Sequence, residues 1–174
     1  MIPKVFILDV DGVMTDGKFY YSEKGKVLKA FGADDNDALS LLKPPIKIIF
    51  VTGDKKGFKI SEKRIIDDMG YPLYLVSTIE RIKWIKSNYN PEEVIYMGDG
   101  IFDSFVMKEV GYSISTSDSD INAQIYSDYI TERTGGNRAV AEACLHILME
   151  FFEPYDPDEL PNKDIKYSGE WNVQ

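Results

Sequence analysis

Four groups of residues carry the chemistry available to this chain. The first is Asp9-Val10-Asp11-Gly12-Val13, which directly follows the apolar run Val5-Phe6-Ile7-Leu8. Apolar, partly β-branched residues ending in polar ones read as a buried strand. The two aspartates lie two residues apart, so an extended backbone turns both carboxylates to one side. Gly12 then allows a sharp turn. Two adjacent carboxylates at a strand end repel each other and lose hydration. A divalent cation with oxygen ligands is the usual compensation.

The second group is Thr52-Gly53, at the end of the apolar run from Ile46 to Val51. A hydroxyl and a backbone N–H exposed by glycine are good donors to a phosphate oxygen. The third is Arg81 and Lys83, in the first turns of a helix beginning near Thr78. The fourth is Met97-Gly98-Asp99-Gly100-Ile101-Phe102-Asp103, again after an apolar run. Taken singly, each has a plain alternative: a capped turn, solvated helical cations, ordinary turn chemistry. Taken together they supply what a phosphate ester requires: a nucleophile, a screening metal and donors for the equatorial oxygens. The leaving alkoxide also needs an acid. Asp9 is the candidate nucleophile, forming an aspartyl phosphate. Asp11 is the candidate acid, and then the base that activates water. Asp99 joins Asp9 as a candidate metal ligand. Thr52, Gly53 and one cation would hold the phosphoryl oxygens. Side chains two apart on a helix diverge by about 200°, so only one of Arg81 and Lys83 can face the site.

The elements that must position these groups alternate. Strand-like runs fall at 4–8, 46–51, 72–76, 94–97, 111–115 and 128–130, with helical patterns near 35–43, 57–69, 78–88, 102–109, 120–125 and 137–152. Such alternation predicts βαβ units, a doubly wound parallel sheet and an α/β fold. Ligands of these sheets sit beyond the carboxyl ends of the strands, where Asp9 and Asp11 fall. Residues 18–31 interrupt the pattern: Phe19, Tyr20 and Tyr21 oppose Val27 and Leu28 across a Ser-Glu-Lys-Gly turn. This predicts a projecting β-hairpin that exposes apolar area unless it packs back on its own domain or docks on a neighbouring subunit, the second being favoured. The reading is therefore one domain over 1–152 without a cap, followed by a proline-containing, non-helical tail over 153–174 with Tyr155, Tyr167 and Trp171 as surface anchors.

Composition narrows the partners. The 174 residues carry a net charge of −9, and the lysines form only short runs, which argues against nucleic acid. No long apolar run or leader pattern is present, so the expectation is a cytoplasmic protein without a membrane segment. The single cysteine, Cys144, lies in an apolar helical pattern and reads as a buried, inert thiol. His146, on the same helix, reads as a surface or partly packed residue. A response-regulator receiver is also doubly wound with clustered aspartates, but there the paired acids and the phosphoryl acceptor lie on different strands.

The ordered motifs DVDGVMTDG, VTGD and MGDGIFD resemble those of the haloacid dehalogenase superfamily. The hairpin and the closing TERTGGNRAV narrow the resemblance to its capless sugar-acid phosphate phosphatases, over residues 4 to about 150. These act on 3-deoxy-manno-octulosonate 8-phosphate or on nine-carbon keto-deoxy sugar acid 9-phosphates. The resemblance implies a Rossmann-like fold and Mg²⁺ held by the side chains of Asp9 and Asp99 and the carbonyl of Asp11. It implies that Asp103 orients the cation of the third motif, that the substrate is a small sugar phosphate, and that the assembly is a homotetramer. Three departures stand out. The third motif calls for Lys, where an ungapped match places Arg81, with Lys83 as the alternative. The segment after the hairpin, FGADDNDAL, has Asp34 or Asp35 where the octulosonate enzymes carry Arg; Arg133 or Arg138 is the candidate replacement for that charge. Asp54, in a substrate-binding position after Thr52-Gly53, favours the nine-carbon acids. A second reading is a catalytically weak module that assembles with a sugar nucleotide (cytidylyl) synthetase.

Overall fold

The computed structural model describes residues 1–160. Six parallel strands form the central sheet: β1 (Val5–Asp9), β4 (Lys47–Thr52), β5 (Leu73–Leu75), β6 (Val94–Gly98), β7 (Tyr112–Ser115) and β8 (Tyr129–Ile130). Their order is β5-β4-β1-β6-β7-β8. β1 lies at the centre, with Val5 paired to both Lys47 and Val94. The chain runs outward from β1 in one direction through β4 and β5, then returns to build the other half, which makes the ends of β1 and its neighbours the switch point.

Side-chain alternation divides the core into two layers. Phe6, Leu8, Ile48, Phe50, Ile95 and Met97 pack with α1 (Asp34–Leu42) and α6 (Ala139–Phe151). Val5, Ile7, Ile49, Val51, Val94 and Tyr96 pack against the other face, with Ile85, Val106 and Ala123. Those three residues come from α3 (Arg81–Asn88), α4 (Ser104–Met107) and α5 (Ile121–Ile125). On β1, Asp9 shares the parity of Val5 and Ile7, so its carboxylate is directed toward the α3 layer.

The remaining helix, α2 (Phe58–Glu62), continues as a π-helical segment over Lys63–Asp68, and a 3₁₀ turn at Thr78–Glu80 leads into α3. The predicted hairpin is present as β2 (Tyr20–Ser22) and β3 (Gly25–Leu28), with Tyr20 opposite Leu28 and a register irregularity between Tyr20 and Tyr21. A bridge between Thr15 and Phe31 closes its base. Tyr20, Tyr21, Val27 and Leu28 are all exposed. After α6, residues 153–160 are non-helical and exposed, and Tyr155 stays 42% accessible. Tyr167 and Trp171, the other two expected anchors, lie outside the described residues. Cys144 is fully buried, and burial raises its thiol well above the ordinary value. His146 stacks on Tyr129 at 3.7 Å and meets the Tyr112 hydroxyl at 2.8 Å.

Candidate active site

β1 ends at Asp9, and the next five residues, Val10–Met14, form one wide turn. Gly12 adopts φ 89°, in the left-handed region. A Cβ at Gly12 would lie 1.9 Å from Asp99 Oδ2, so glycine here is what lets the β6 carboxylate close over the β1 loop. Thr15 secures the turn: its Oγ1 accepts from the N–H groups of Gly12 and Gly17, each at 3.3 Å. From the other side Gly135 and Gly136 press in. The Gly136 N–H donates to Val13 O at 3.0 Å, and a Cβ on Gly135 would fall 1.9 Å from Gly12 O.

At the centre lies Arg81, a completely buried arginine. Its Nη1 donates to Asp9 Oδ2 at 2.8 Å, to Tyr96 Oη at 2.7 Å and to Asp103 Oδ1 at 2.9 Å. Nη2 reaches Asp9 Oδ1 at 3.4 Å. Burial disfavours the guanidinium charge, but Asp9, Tyr96 and Asp103 outweigh it and raise its pKa well above the ordinary value. Asp103 is saturated: besides Arg81 it accepts from Tyr96 Oη at 2.5 Å and from the backbone N–H groups of Asp99 and Gly100 at 3.0 and 2.8 Å. Lys83 faces the other way, with its side chain 82% exposed and nearest Glu80 at 3.8 Å. Of the two sequence candidates, α3 therefore turns Arg81 inward and Lys83 out to water, and Lys83 is removed from the site.

Asp9, Asp99 and Asp103 each offer an oxygen within 4.8 Å of the others. Asp103 is committed to four donors. The Asp99 carboxylate takes no hydrogen bond or ion pair among the described residues. Burial pushes Asp99 up to about 8, reinforced by Asp9, Asp103 and Asp118. Burial likewise pushes Asp9 up to about 6 against the pull of Arg81. This donor set fits a hard divalent cation, because a half-buried carboxylate without a partner beside the buried Asp9 is what such an ion would neutralise. Asp9 and Asp99 would hold it by their side chains.

Asp11 stands apart from that trio. Its Oδ2 accepts from Thr52 Oγ1 at 2.9 Å, and its Oδ1 lies 2.6 Å from Lys29 Nζ, an ion pair off the hydrogen-bond axis. Thr52 Oγ1 in turn accepts from the Asp54 N–H at 3.1 Å. Gly53 packs against Thr78: a Cβ on it would meet Thr78 Cγ2 at 3.4 Å. Asp54 is held by Lys26, by Lys29 at 2.9 Å and by the Gly57 N–H at 3.0 Å. Burial would raise Asp54, but the two lysines bring it down to about 2. Arg138 sits outside this group. Its side chain is 57% exposed, and its Nε lies 2.6 Å from Asp34. The neighbouring Asp35 is buried and accepts from the Ala141 N–H at 2.9 Å, fixing the start of α6. The sequence reading did not anticipate Lys29, Lys26 or Tyr96. The signals available were a lysine inside the apolar run Val27-Leu28-Lys29-Ala30-Phe31 and a tyrosine of Asp9's parity on the adjoining strand.

No family model matches the chain. Curated relatives do. The 3-deoxy-D-manno-octulosonate 8-phosphate phosphatase of Escherichia coli K12 is 34% identical over 151 residues, covering 84% of this chain and 79% of that protein. The Yersinia pestis enzyme of the same name is 34% identical over 154 residues, covering 84% and 80%. Among solved structures, the cobalt-bound Haemophilus influenzae deoxy-D-mannose-octulosonate 8-phosphate phosphatase aligns with TM-score 0.74 at 26% identity, over 86% of this chain and 89% of that one. The Moraxella catarrhalis enzyme, in complex with magnesium ion, phosphate ion and a KDO molecule, aligns with TM-score 0.71 at 29% identity, over 84% and 86%. With a Rossmann-like parallel sheet, the DxDG acids at the carboxyl end of its central strand and relatives at this identity across most of both chains, the protein belongs to the 3-deoxy-D-manno-octulosonate 8-phosphate phosphatase family of the haloacid dehalogenase superfamily.

Proposed function

We propose that this protein is a Mg²⁺-dependent phosphatase that hydrolyses the phosphate monoester of a small sugar acid through an aspartyl phosphate. The observation that carries the reading is the buried Arg81–Asp9–Asp103 cluster beside the unpartnered carboxylate of Asp99. Asp9 attacks phosphorus, and the ester oxygen leaves with a proton from Asp11. Asp11 then takes a proton from the water that attacks the phosphoenzyme, which restores Asp9 and releases inorganic phosphate. The Gly53 N–H and the charge of Arg81 behind Asp9 would favour the phosphoryl oxygens, Thr52 steadies Asp11, and Asp103 with Tyr96 fixes Arg81. Asp9 and Asp99, with the Asp11 carbonyl as the resemblance implies, would hold Mg²⁺, which would supply charge neutralisation for the phosphate.

The proposed substrate is a nine-carbon keto-deoxy sugar acid 9-phosphate in preference to the octulosonate 8-phosphate. Supporting it are the acid Asp54 after Thr52-Gly53, and the Asp34-Asp35 pair where the octulosonate enzymes carry Arg. Arg138, a candidate for that missing charge, is paired with Asp34. The proposal extends to one capless unit over 1–152 and a homotetramer whose exposed hairpins meet. Hydrolysis of a sugar-phosphate panel with and without Mg²⁺ tests the reading. Asp9→Asn should lower turnover by roughly three orders of magnitude or more, with the fold retained. Near-normal turnover in that variant sinks the assignment.

One observation favours a second reading, a weak enzyme acting as an assembly partner of a cytidylyl synthetase. Arg81 Nη1 already divides its donors among Asp9, Tyr96 and Asp103. Absence of turnover on every sugar phosphate in Mg²⁺ would select it.

A further inference from the structure

Resting on the phosphatase reading above, we propose that Lys29 is a positioning residue that holds Asp11 in orientation for proton transfer, so that the hairpin segment is part of the acid–base apparatus. The Lys29 side chain is wholly inaccessible, and its ammonium meets three oxygens: Asp11 Oδ1 at 2.6 Å, Asp54 Oδ2 at 2.9 Å and Ser61 Oγ at 2.9 Å. The Asp11 side chain keeps 17% of its surface accessible. Lys29 therefore pairs with the Asp11 oxygen that is itself shut off from solvent, and the accessible surface lies on the rest of the side chain. Thr52 Oγ1 restrains the second oxygen at 2.9 Å. Two points of attachment fix a planar carboxylate against rotation, which proton transfer in flight requires.

The surroundings make room for this network. A Cβ at Gly57 would lie 2.1 Å from Asp54 Oδ2 and 3.0 Å from Lys29 Cε, so a side chain here would have to displace this network. Asp54 anchors Lys29 from α2's side of the cleft, and Lys26 braces Asp54 while lying 3.2 Å over the Phe19 ring. Burying an ammonium is costly, and an apolar side chain would pin the hairpin base at less cost. What an apolar residue cannot do is orient Asp11.

The test separates orientation of an acid from support of the fold. In Mg²⁺, kcat/KM is measured on p-nitrophenyl phosphate, whose leaving group departs without a proton, and on phenyl phosphate, whose leaving group needs one. Asp11→Asn provides the reference for full loss of the acid. Lys29→Met should lower kcat/KM on phenyl phosphate by about tenfold to a hundredfold, and on the nitrophenyl ester by less than about threefold. Lys29→Arg should recover part of the difference. Thermal melting checks folding, and Lys29→Gln replaces Lys29→Met if the latter fails to fold. Equal losses on both esters, or none on either, overturn the role of Lys29 and leave the phosphatase reading standing. A wild-type protein inactive on both esters and on the sugar-phosphate panel overturns both.

Discussion

Arg81 meets two carboxylates and a phenol, and the value of its position lies in charge and shape together. Removing one member of a buried ion cluster leaves the others unpaired, typically at about 3–5 kcal/mol. Arg81→Ala should therefore unfold at much lower denaturant concentration, while Lys83→Ala should lie within about 0.5 kcal/mol of the parent because its side chain is in water. Arg81→Lys keeps the charge and restores the residue type that the family motif calls for, so it should fold and retain turnover. Equal, small losses of turnover from the two alanine variants would place the phosphate-facing cation elsewhere. Asp99 gives a pH prediction. Its pKa is raised from 3.8 to about 8, so over that interval the folded, metal-free protein holds a proton that the unfolded chain has released. The contribution of Asp99 to stability is thus full below pH 3.8 and lost as pH rises through about 8. Mg²⁺ requires the ionised form, so the Mg²⁺-induced rise in Tm should grow between pH 6 and pH 8, on the order of the titration interval. Asp99→Asn should raise the metal-free Tm and abolish the Mg²⁺ effect; a pH-independent Mg²⁺ shift that survives this substitution would exclude Asp99 as a ligand. These residues differ in how far sequence exposes them. Asp9, Asp99 and Asp103 sit in motifs at strand ends and are readable there. Lys29 and Tyr96 act through tertiary approach, across 18 and 87 residues from Asp11 and Asp9, and composition around them gives only an oddity of polarity.

The elements were legible where burial dictates periodicity. The runs at 4–8, 46–51 and 94–97 correspond to β1, β4 and β6, because central parallel strands are apolar on both faces. The 102–109 pattern shrinks to α4 at Ser104–Met107, and its start is held back by the turn in which the Asp99 and Gly100 N–H groups donate to Asp103 Oδ2. The 57–69 pattern contains a π-helical stretch, which amphipathic spacing does not reveal. Least visible was the approach of Gly135 and Gly136 to the turn at Gly12: two glycines before a helix read as a loop, whereas they serve as a backbone-to-backbone contact. Gly135→Ala tests this contact. Its methyl would meet Gly12 O at 1.9 Å, so the two loops must separate. Such overpacking costs about 1–3 kcal/mol and should reduce turnover at least tenfold, because the turn that carries Asp11 moves with it. A variant with unchanged Tm and kcat would show the contact to be yielding.

At the scale of the molecule, the sheet order and the hairpin decide what surface remains. Phe19, Tyr20, Tyr21, Val27 and Leu28 are 39–64% exposed on a two-stranded ribbon, the kind of apolar patch that marks an interface. Lys26, within β3, and Lys29, just after it, both bind Asp54, so the ribbon's orientation is tied to residues beside the site. Replacing Tyr20 and Tyr21 by glutamate should convert the proposed tetramer to smaller species in light scattering and reduce turnover in parallel. A wild-type protein that is monomeric at micromolar concentration and fully active would refute the assembly. Among the described residues no helix is long and apolar enough to cross a membrane. Oligomeric state could not be reached from pattern alone, since an exposed aromatic hairpin says that a surface wants cover without saying how many copies provide it.

The central place of β1 has a kinetic consequence. This strand comes first in the chain, yet its two neighbours are β4 and β6, about 42 and 89 residues later by register. Pairing with β4 can bring Asp11 to Thr52, but Asp99 arrives only when β6 closes the long loop. An ion that bridges β1 and β6 therefore stabilises only species in which both strands are already joined. If the rate-limiting barrier precedes β6 docking, Mg²⁺ should leave the refolding rate nearly unchanged and slow unfolding, giving a protein whose lifetime, more than its speed of folding, depends on divalent cations.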